Sequence, residues 1–182
     1  MGFEVVRRRG RVWEDTKILH SMLMKFPFQT TGGSERDFER GFATTLINNR
    51  EDYNLPVHSQ IDRDTQVESI YCFGKKHRPD VTLGENGVAI EMKYISYAGL
   101  KDAIGQGYLY RLRYKFVFIV LIFSEDRKDV YHEIEEGKEK DLEDMLTHLE
   151  EEMNIFTYIV PSFKPKGTAV RKVISFSPDE FA

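Results

Sequence analysis

The chain reads as a single α/β domain, a mixed central β-sheet flanked by helices. Segments with apolar residues at helical spacing alternate with shorter strand-like runs. The run at 116–123, FVFIVLIF, is apolar at every position, as a central strand covered on both faces must be. The segment 78–94, RPDVTLGENGVAIEMKY, alternates apolar and polar residues around a glycine-flanked turn, as a half-buried hairpin does. At 182 residues the chain is long enough to bury one substantial core.

In order along the chain, residues 12–25 predict a helix with Trp13, Ile18, Leu19 and Met22 on a loose apolar stripe. The stretch Thr30-Thr31-Gly32-Gly33-Ser34 follows. It lacks the Lys of a nucleotide-binding loop and reads as a plain helix cap. Ser34 is a good N-cap, Glu35 and Asp37 suit the first turn, and Phe38, Phe42 and Leu46 repeat at i+4. Residues 65–73 (TQVESIYCF) predict a strand with Cys72 as a core residue, leading into a basic loop of Lys75, Lys76, His77 and Arg78. After the hairpin comes a helix over about 98–113, with Ile104, Tyr108 and Leu112 expected against the sheet, and then the strand at 116–123. A helix over 129–153 carries Leu142, Met145, Leu146, Leu149 and Met153 on one face. Two strands, at 155–160 and 169–176, complete the pattern.

Composition narrows the class. Cys72 is the only cysteine, which excludes an internal disulfide and a thiolate zinc site and suits a reducing cytoplasm. The five histidines have no metal-ligand spacing and read as surface residues. The longest apolar run, at 116–123, is too short to cross a membrane, and no apolar core follows Arg7, Arg8 and Arg9, so neither a span nor a secretory leader is expected. The formal net charge of −4 is uneven: residues 125–152 hold 13 acidic and 4 basic residues, leaving 22 basic and 17 acidic residues elsewhere. The acidic segment masks a basic body, which keeps a nucleic-acid partner open.

The hairpin raises the chemical question. With Glu85-Asn86 as the turn, position 80 pairs with 91; with Asn86-Gly87 it pairs with 93. Either register puts Asp80, Glu91 and Lys93 on one face and Val81, Leu83, Val88, Ile90 and Met92 on the other. Two carboxylates ~5 Å apart repel by roughly 3 kcal/mol at an effective dielectric near 20, so positive charge must sit between them. Lys93 can supply it as a cross-strand ion pair; so can a metal. An acid two residues before a Lys also occurs at Asp15/Lys17, Asp126/Lys128 and Glu136/Lys138, but only Glu91/Lys93 has a Pro-Asp joined to it through a hairpin of the right parity.

Pro79-Asp80, ten residues, then Glu91-Met92-Lys93 resembles the signature of the PD-(D/E)xK nuclease superfamily, the restriction-endonuclease-like fold. That resemblance implies a core in the order α-β-β-β-α-β, which residues 34–123 would supply within a single domain 1–182, with an N-terminal helical extension and a C-terminal acidic helix plus strands. It implies a metal-dependent DNA nuclease, with Asp80 and Glu91 holding Mg²⁺ or Mn²⁺ and Lys93 orienting water or neutralising developing charge. Glu35-Arg36-Asp37-Phe38 is similar to the opening of archaeal Holliday-junction resolvases, which makes Glu35 the helix acid; Glu39, one turn on, is its rival. Gln106 and Tyr110 are similar to the Gln-x-x-x-Tyr element of the exonuclease branch and share a helix face. Lys75, Lys76, Arg78 and Arg113 would meet DNA phosphates, and a homodimer would let one protein cut two strands. The alternative is a catalytically silent relative that binds nucleic acid or acts in an assembly.

Overall fold

A computed structural model describes residues 6–28, 34–61, 67–95, 97–163, 174–176 and 181. Helix α1 (Arg11–Lys25) buries Trp13, Leu19 and Leu23, with Ile18 and Met22 half-buried beside them. Helix α2 (Glu35–Asn48) starts at Ser34, whose hydroxyl and backbone exchange hydrogen bonds with Asp37 in a capping box, and it buries Phe38, Phe42 and Leu46 as their spacing predicts. Six strands make one mixed sheet in the order β1-β4-β5-β6-β7-β8: β1 (Val57–Ser59), β4 (Val81–Leu83), β5 (Val88–Tyr94), β6 (Phe116–Phe123), β7 (Ile155–Pro161) and β8 (Ile174–Ser175). The β1–β4, β4–β5 and β7–β8 pairs are antiparallel, whereas β5–β6 and β6–β7 are parallel.

Parallel neighbours need crossover connections, and helices provide them. Helix α3 (Tyr97–Arg111) joins β5 to β6; α4 (Lys128–Glu135) and α5 (Lys140–Met153) join β6 to β7. The sheet therefore has a core on each face. One gathers α1 and α2 over Val88, Ile90, Met92, Phe118 and Tyr158; the other gathers α3, α4 and α5 over Ala89, Val117, Ile119, Leu121 and Ile159. β6 is buried at all eight positions because it lies between both. Within the main sheet the succession is α2-β1-β4-β5-α3-β6, with a separate two-stranded hairpin inserted in the chain between β1 and β4, which the expected α-β-β-β-α-β order does not contain. Among the described residues no helix is long and apolar enough to cross a membrane.

Several expectations change. The first sheet strand is β1, from the short segment Val57–Ser59, and not the stretch 65–73. Within that stretch only β2 (Ile70–Cys72) is a strand, Thr65 and Gln66 lie outside the described residues, and β2 pairs with β3 (Lys75–His77) in a separate hairpin. The basic loop is thus itself a strand, and Cys72 is half-buried rather than core. The helix expected over 129–153 is two helices, broken around Gly137, whose φ of 71° a helix cannot contain. Helix α3 is turned from the expected orientation: Ala103, Gly107 and Tyr110 are buried and Ile104 packs half-buried beside them, while Tyr108 is 37% exposed and Leu112, just past the helix, 61%. Small residues let this helix approach the sheet closely, since a Cβ on Gly107 would lie 2.8 Å from Ile119 Cδ1. His20, His58 and His77 are half-buried rather than on the surface, with His20 Nδ1 2.7 Å from the Tyr158 hydroxyl. Residues 169–173 and Thr30 to Gly33 lie outside the described residues.

Two buried features set the hairpin in place. The fully buried Asp15 carboxylate accepts hydrogen bonds from the Asn54 backbone at 2.8 Å, the Asn54 amide at 2.7 Å and the Leu55 backbone at 2.9 Å, tying α1 to the chain entering β1. Leu55 then packs on the β4–β5 turn. A Cβ on Gly87 would fall on the Leu83 carbonyl oxygen and 2.6 Å from Leu55 Cδ1, so position 87 has no room for a side chain. Gly87→Ala should lower stability by about 1–3 kcal/mol, read from denaturant unfolding; an unchanged midpoint would show that the turn can open.

Candidate active site

The charged residues gather where the sheet runs out of pairing. β5 has seven residues and β4 only three, so β4 covers β5 from Val88 to Ile90 and leaves the edge beyond without a strand. Backbone N–H groups on that edge need acceptors. Asp80, just before β4, provides one: its Oδ2 accepts from the Met92 N–H at 2.7 Å. Glu35, at the start of α2, provides the next, its Oε2 accepting from the Tyr94 N–H at 2.8 Å. The Asp80 carbonyl is turned away to the Gln60 N–H at 3.0 Å, so its side chain stands in for the missing strand.

The Val81↔Ile90 register, continued by one residue, sets Asp80 opposite Glu91, as the Glu85-Asn86 turn predicts. Glu91 is 2% exposed; its Oε2 accepts from the Tyr110 hydroxyl at 2.9 Å. Lys93 Nζ lies 3.5 Å from Glu91 Oε1 and 3.1 Å from Glu35 Oε1. The structure therefore joins Glu91, Lys93 and Glu35 directly and holds Asp80 beside them. Tyr110 also lies 3.0 Å from the Arg78 carbonyl oxygen, and its single proton serves one acceptor at a time. Tyr110 is thus a fully buried tie between α3, β5 and the chain leading to Asp80.

Burial and like charge shape the electrostatics. Burial, then the Glu91 charge, then Glu39 raise the Asp80 carboxyl well above its usual range, against the Met92 hydrogen bond and Lys93. Burial also pushes Glu91 up to about 7, although Lys93 and the Tyr110 hydroxyl favour its ionised form. Burial lowers the Lys93 ammonium, but the Glu91 and Glu35 carboxylates more than offset it and the net shift is upward. Glu39 is raised by burial and by Glu35. Both rival helix acids therefore belong to the cluster: Glu35 by contact, Glu39 through its field on Asp80.

The chain matches no family model, no curated protein and no solved structure.

The donor set can be tested against a hard cation. Among the described residues no group of three or more His, Cys, Asp and Glu side chains is arranged to hold a metal. Among the described residues Asp80 Oδ1 has no hydrogen bond, whereas Glu91 is 2% exposed and its Oε1 is paired with Lys93 at 3.5 Å, so Lys93 would have to yield that oxygen to a cation. One or two carboxylates completed by water and phosphate oxygens are what Mg²⁺ commonly uses.

The remaining expected contacts are scattered. Lys75 and Lys76 are exposed on β3. Arg78 donates from Nε to Ser69 Oγ at 2.6 Å. Gln106 is half-buried, with a buried amide oxygen that has no hydrogen-bond partner among the described residues. Arg113 does not continue the Gln106–Tyr110 stripe: it is held at the β4–β5 turn by the Glu85 carbonyl at 2.9 Å and by Glu68. Gln60 has no sequence signal, yet its amide donates to the Arg78 and Pro79 carbonyls at 3.0 Å and steadies the approach to Asp80.

Two outcomes follow from this geometry. Glu91 binds its proton more tightly in the folded chain than when unfolded, where its value is near 4.5, so the stability tied to it is full below that pH and is lost as pH rises through about 7. Without divalent metal, Glu91→Gln should gain thermal stability relative to wild type between pH 4.5 and 8; a difference flat with pH would contradict the burial of this charge. Asp80→Asn and Asp80→Ala both remove the charge, but only Asn keeps an acceptor for Met92. The Asn variant should be more stable in denaturant by about 1–3 kcal/mol, and equal midpoints would show that the Met92 amide finds water instead.

Proposed function

We propose that this protein is a divalent-metal-dependent DNA nuclease with a restriction-endonuclease-like core, hydrolysing phosphodiester bonds at the open edge of β5. The observation that carries the reading is the meeting of Asp80, Glu91, Lys93 and Glu35 at one strand end, with Tyr110 on Glu91. Residues from a strand, a hairpin and two helices converge there. An ion pair between Glu91 and Lys93 alone would need neither Glu35 nor a second carboxylate repelling the first.

Asp80 and Glu91 would hold Mg²⁺ or Mn²⁺. When bound, the ion supplies Lewis acidity, polarising the phosphate and lowering the pKa of a bound water. Lys93 is kept charged by Glu91 and Glu35, so it serves as a fixed positive charge for the phosphate oxygens as negative charge develops, and not as a proton acceptor. Glu35 holds that ammonium in place and caps the strand. Glu91 must lose its proton to bind a cation, so loading of the site strengthens as pH rises through about 7. Lys75 and Lys76 stand exposed a few residues before Asp80, suited to phosphates approaching the site. The acidic helices α4 and α5 pack on β7, two strands from β5, and leave that approach free of their charge.

Duplex, single-stranded, flap and junction DNA, each incubated with Mg²⁺ or Mn²⁺, test the reading. The wild-type chain should cut at least one of them. Asp80→Asn and Glu91→Gln should fall to background, and Lys93→Met should lose on the order of 100-fold in rate. A wild-type chain that cuts none of them with either metal would sink the proposal.

A further inference from the structure

The β2–β3 hairpin stands apart from the main sheet and presents an unusual tip. Its pairs Ile70↔His77, Tyr71↔Lys76 and Cys72↔Lys75 leave Phe73-Gly74 as the turn. Both turn residues have positive φ, 51° and 72°, as a type I′ turn requires, and there glycine or asparagine is favoured and a bulky side chain strained. Phe73 is nevertheless 96% exposed and Tyr71 72% exposed. Lys76 stands across from Tyr71 and Lys75 borders the turn, both exposed. Ile70 packs into the core beside α3, so the hairpin is seated by one face and free on the other. Its base is tied to the carboxylate cluster: the Arg78 side chain bonds Ser69, and the Arg78 carbonyl accepts from Gln60 and from Tyr110, whose hydroxyl also reaches Glu91.

We propose that Phe73 and Tyr71 stack on nucleobases not held in a duplex, so that this chain engages DNA at a single-stranded end, gap or flap. The cutting part of this inference rests on the nuclease reading; the stacking does not. Exposed aromatic faces interleaved with ammonium groups are the means by which proteins hold single strands: every unpaired base offers a ring face, and the lysines meet the phosphates. A base inside a duplex is already stacked on both sides and offers no face to Phe73. Phe73 lies seven residues before Asp80, a reach of at most about 23 Å at ~3.3 Å per extended residue. At ~3.4 Å per nucleotide of one strand, the cut falls within about seven nucleotides of the stacked base.

The test compares two labelled DNAs of equal length, one blunt and fully paired, the other ending in a single-stranded extension. Both are titrated with the full chain carrying Asp80→Asn to prevent cutting. The extended DNA should bind more tightly. Phe73→Gly should weaken its binding by about 5- to 150-fold and lower the ratio of the two affinities by the same factor, Phe73→Gly with Tyr71→Ala should bring that ratio to about one, and Phe73→Trp keeps the preference. Glycine suits the positive φ, so Phe73→Gly should melt no lower than the parent and misfolding cannot mimic the loss. Equal affinity of the parent for both DNAs, or extended-DNA binding indifferent to Phe73→Gly, overturns the proposal. So does a change of oligomeric state in Phe73→Gly with DNA binding unaltered, which would assign the tip to self-association. Cleavage by the chain with Asp80 intact, in Mg²⁺, is read separately. Stacking without cleavage leaves this inference standing and removes the nuclease reading; cleavage indifferent to Phe73 does the reverse.

Discussion

The length mismatch between β4 and β5 organises this molecule. An antiparallel neighbour that stops after three residues leaves backbone amides on the edge of a seven-residue strand, and these cannot be buried unpaired. Asp80 and Glu35 satisfy them, one from the chain entering β4 and one from the first turn of α2. The same step that completes the sheet therefore draws two carboxylates to the position where the strand brings up Glu91 and Lys93. A structural need and a chemical opportunity coincide on the same atoms.

Holding these charges together is costly, and the surroundings show how the chain tolerates it. Three of the carboxylates are given a donor: Met92 for Asp80, Tyr110 for Glu91, Tyr94 for Glu35. Lys93 bridges two of them. Even so, Asp80 and Glu91 stay raised above their ordinary values, because burial, with the Glu91 charge acting on Asp80 and the Glu35 charge on Glu91, outweighs those donors. The cores on either face of the sheet carry the stability that this cluster draws on, with β6 buried at every position between them.

Much of this was legible where one local rule acts alone. The all-apolar β6 announced a two-sided strand, the Ser34 cap and the i+4 spacing of Phe38, Phe42 and Leu46 announced α2, and hairpin parity placed Asp80, Glu91 and Lys93 on one face. The site acids followed because a strand alternates its faces whatever it packs against. The misreadings lie where packing overrides composition. β1 is too short to show a period, yet pairing with β4 makes it a strand. Tyr108 points outward on α3, and Leu112 just beyond its end, because Ala103 and Gly107 allow the close approach that the sheet rewards. Asp15 stood out in the sequence only as half of another acid-x-Lys triplet, yet three donors surround its buried carboxylate.

Local chemistry thus settled which residues could meet across the hairpin, since turn parity and strand alternation need no distant partner. Which of them would share charge was decided only on folding. Glu35 lies 58 residues from Lys93, and Tyr110 lies 19 residues from Glu91 and 32 from the Arg78 carbonyl it also approaches. Such contacts depend on how helices cross a sheet, and a one-dimensional pattern carries no term for that. The exposed Phe73 tip belongs to the same class. Its Gly74 neighbour marks a turn, but the positive φ at Phe73 and its projection into water exist only once β2 and β3 have paired.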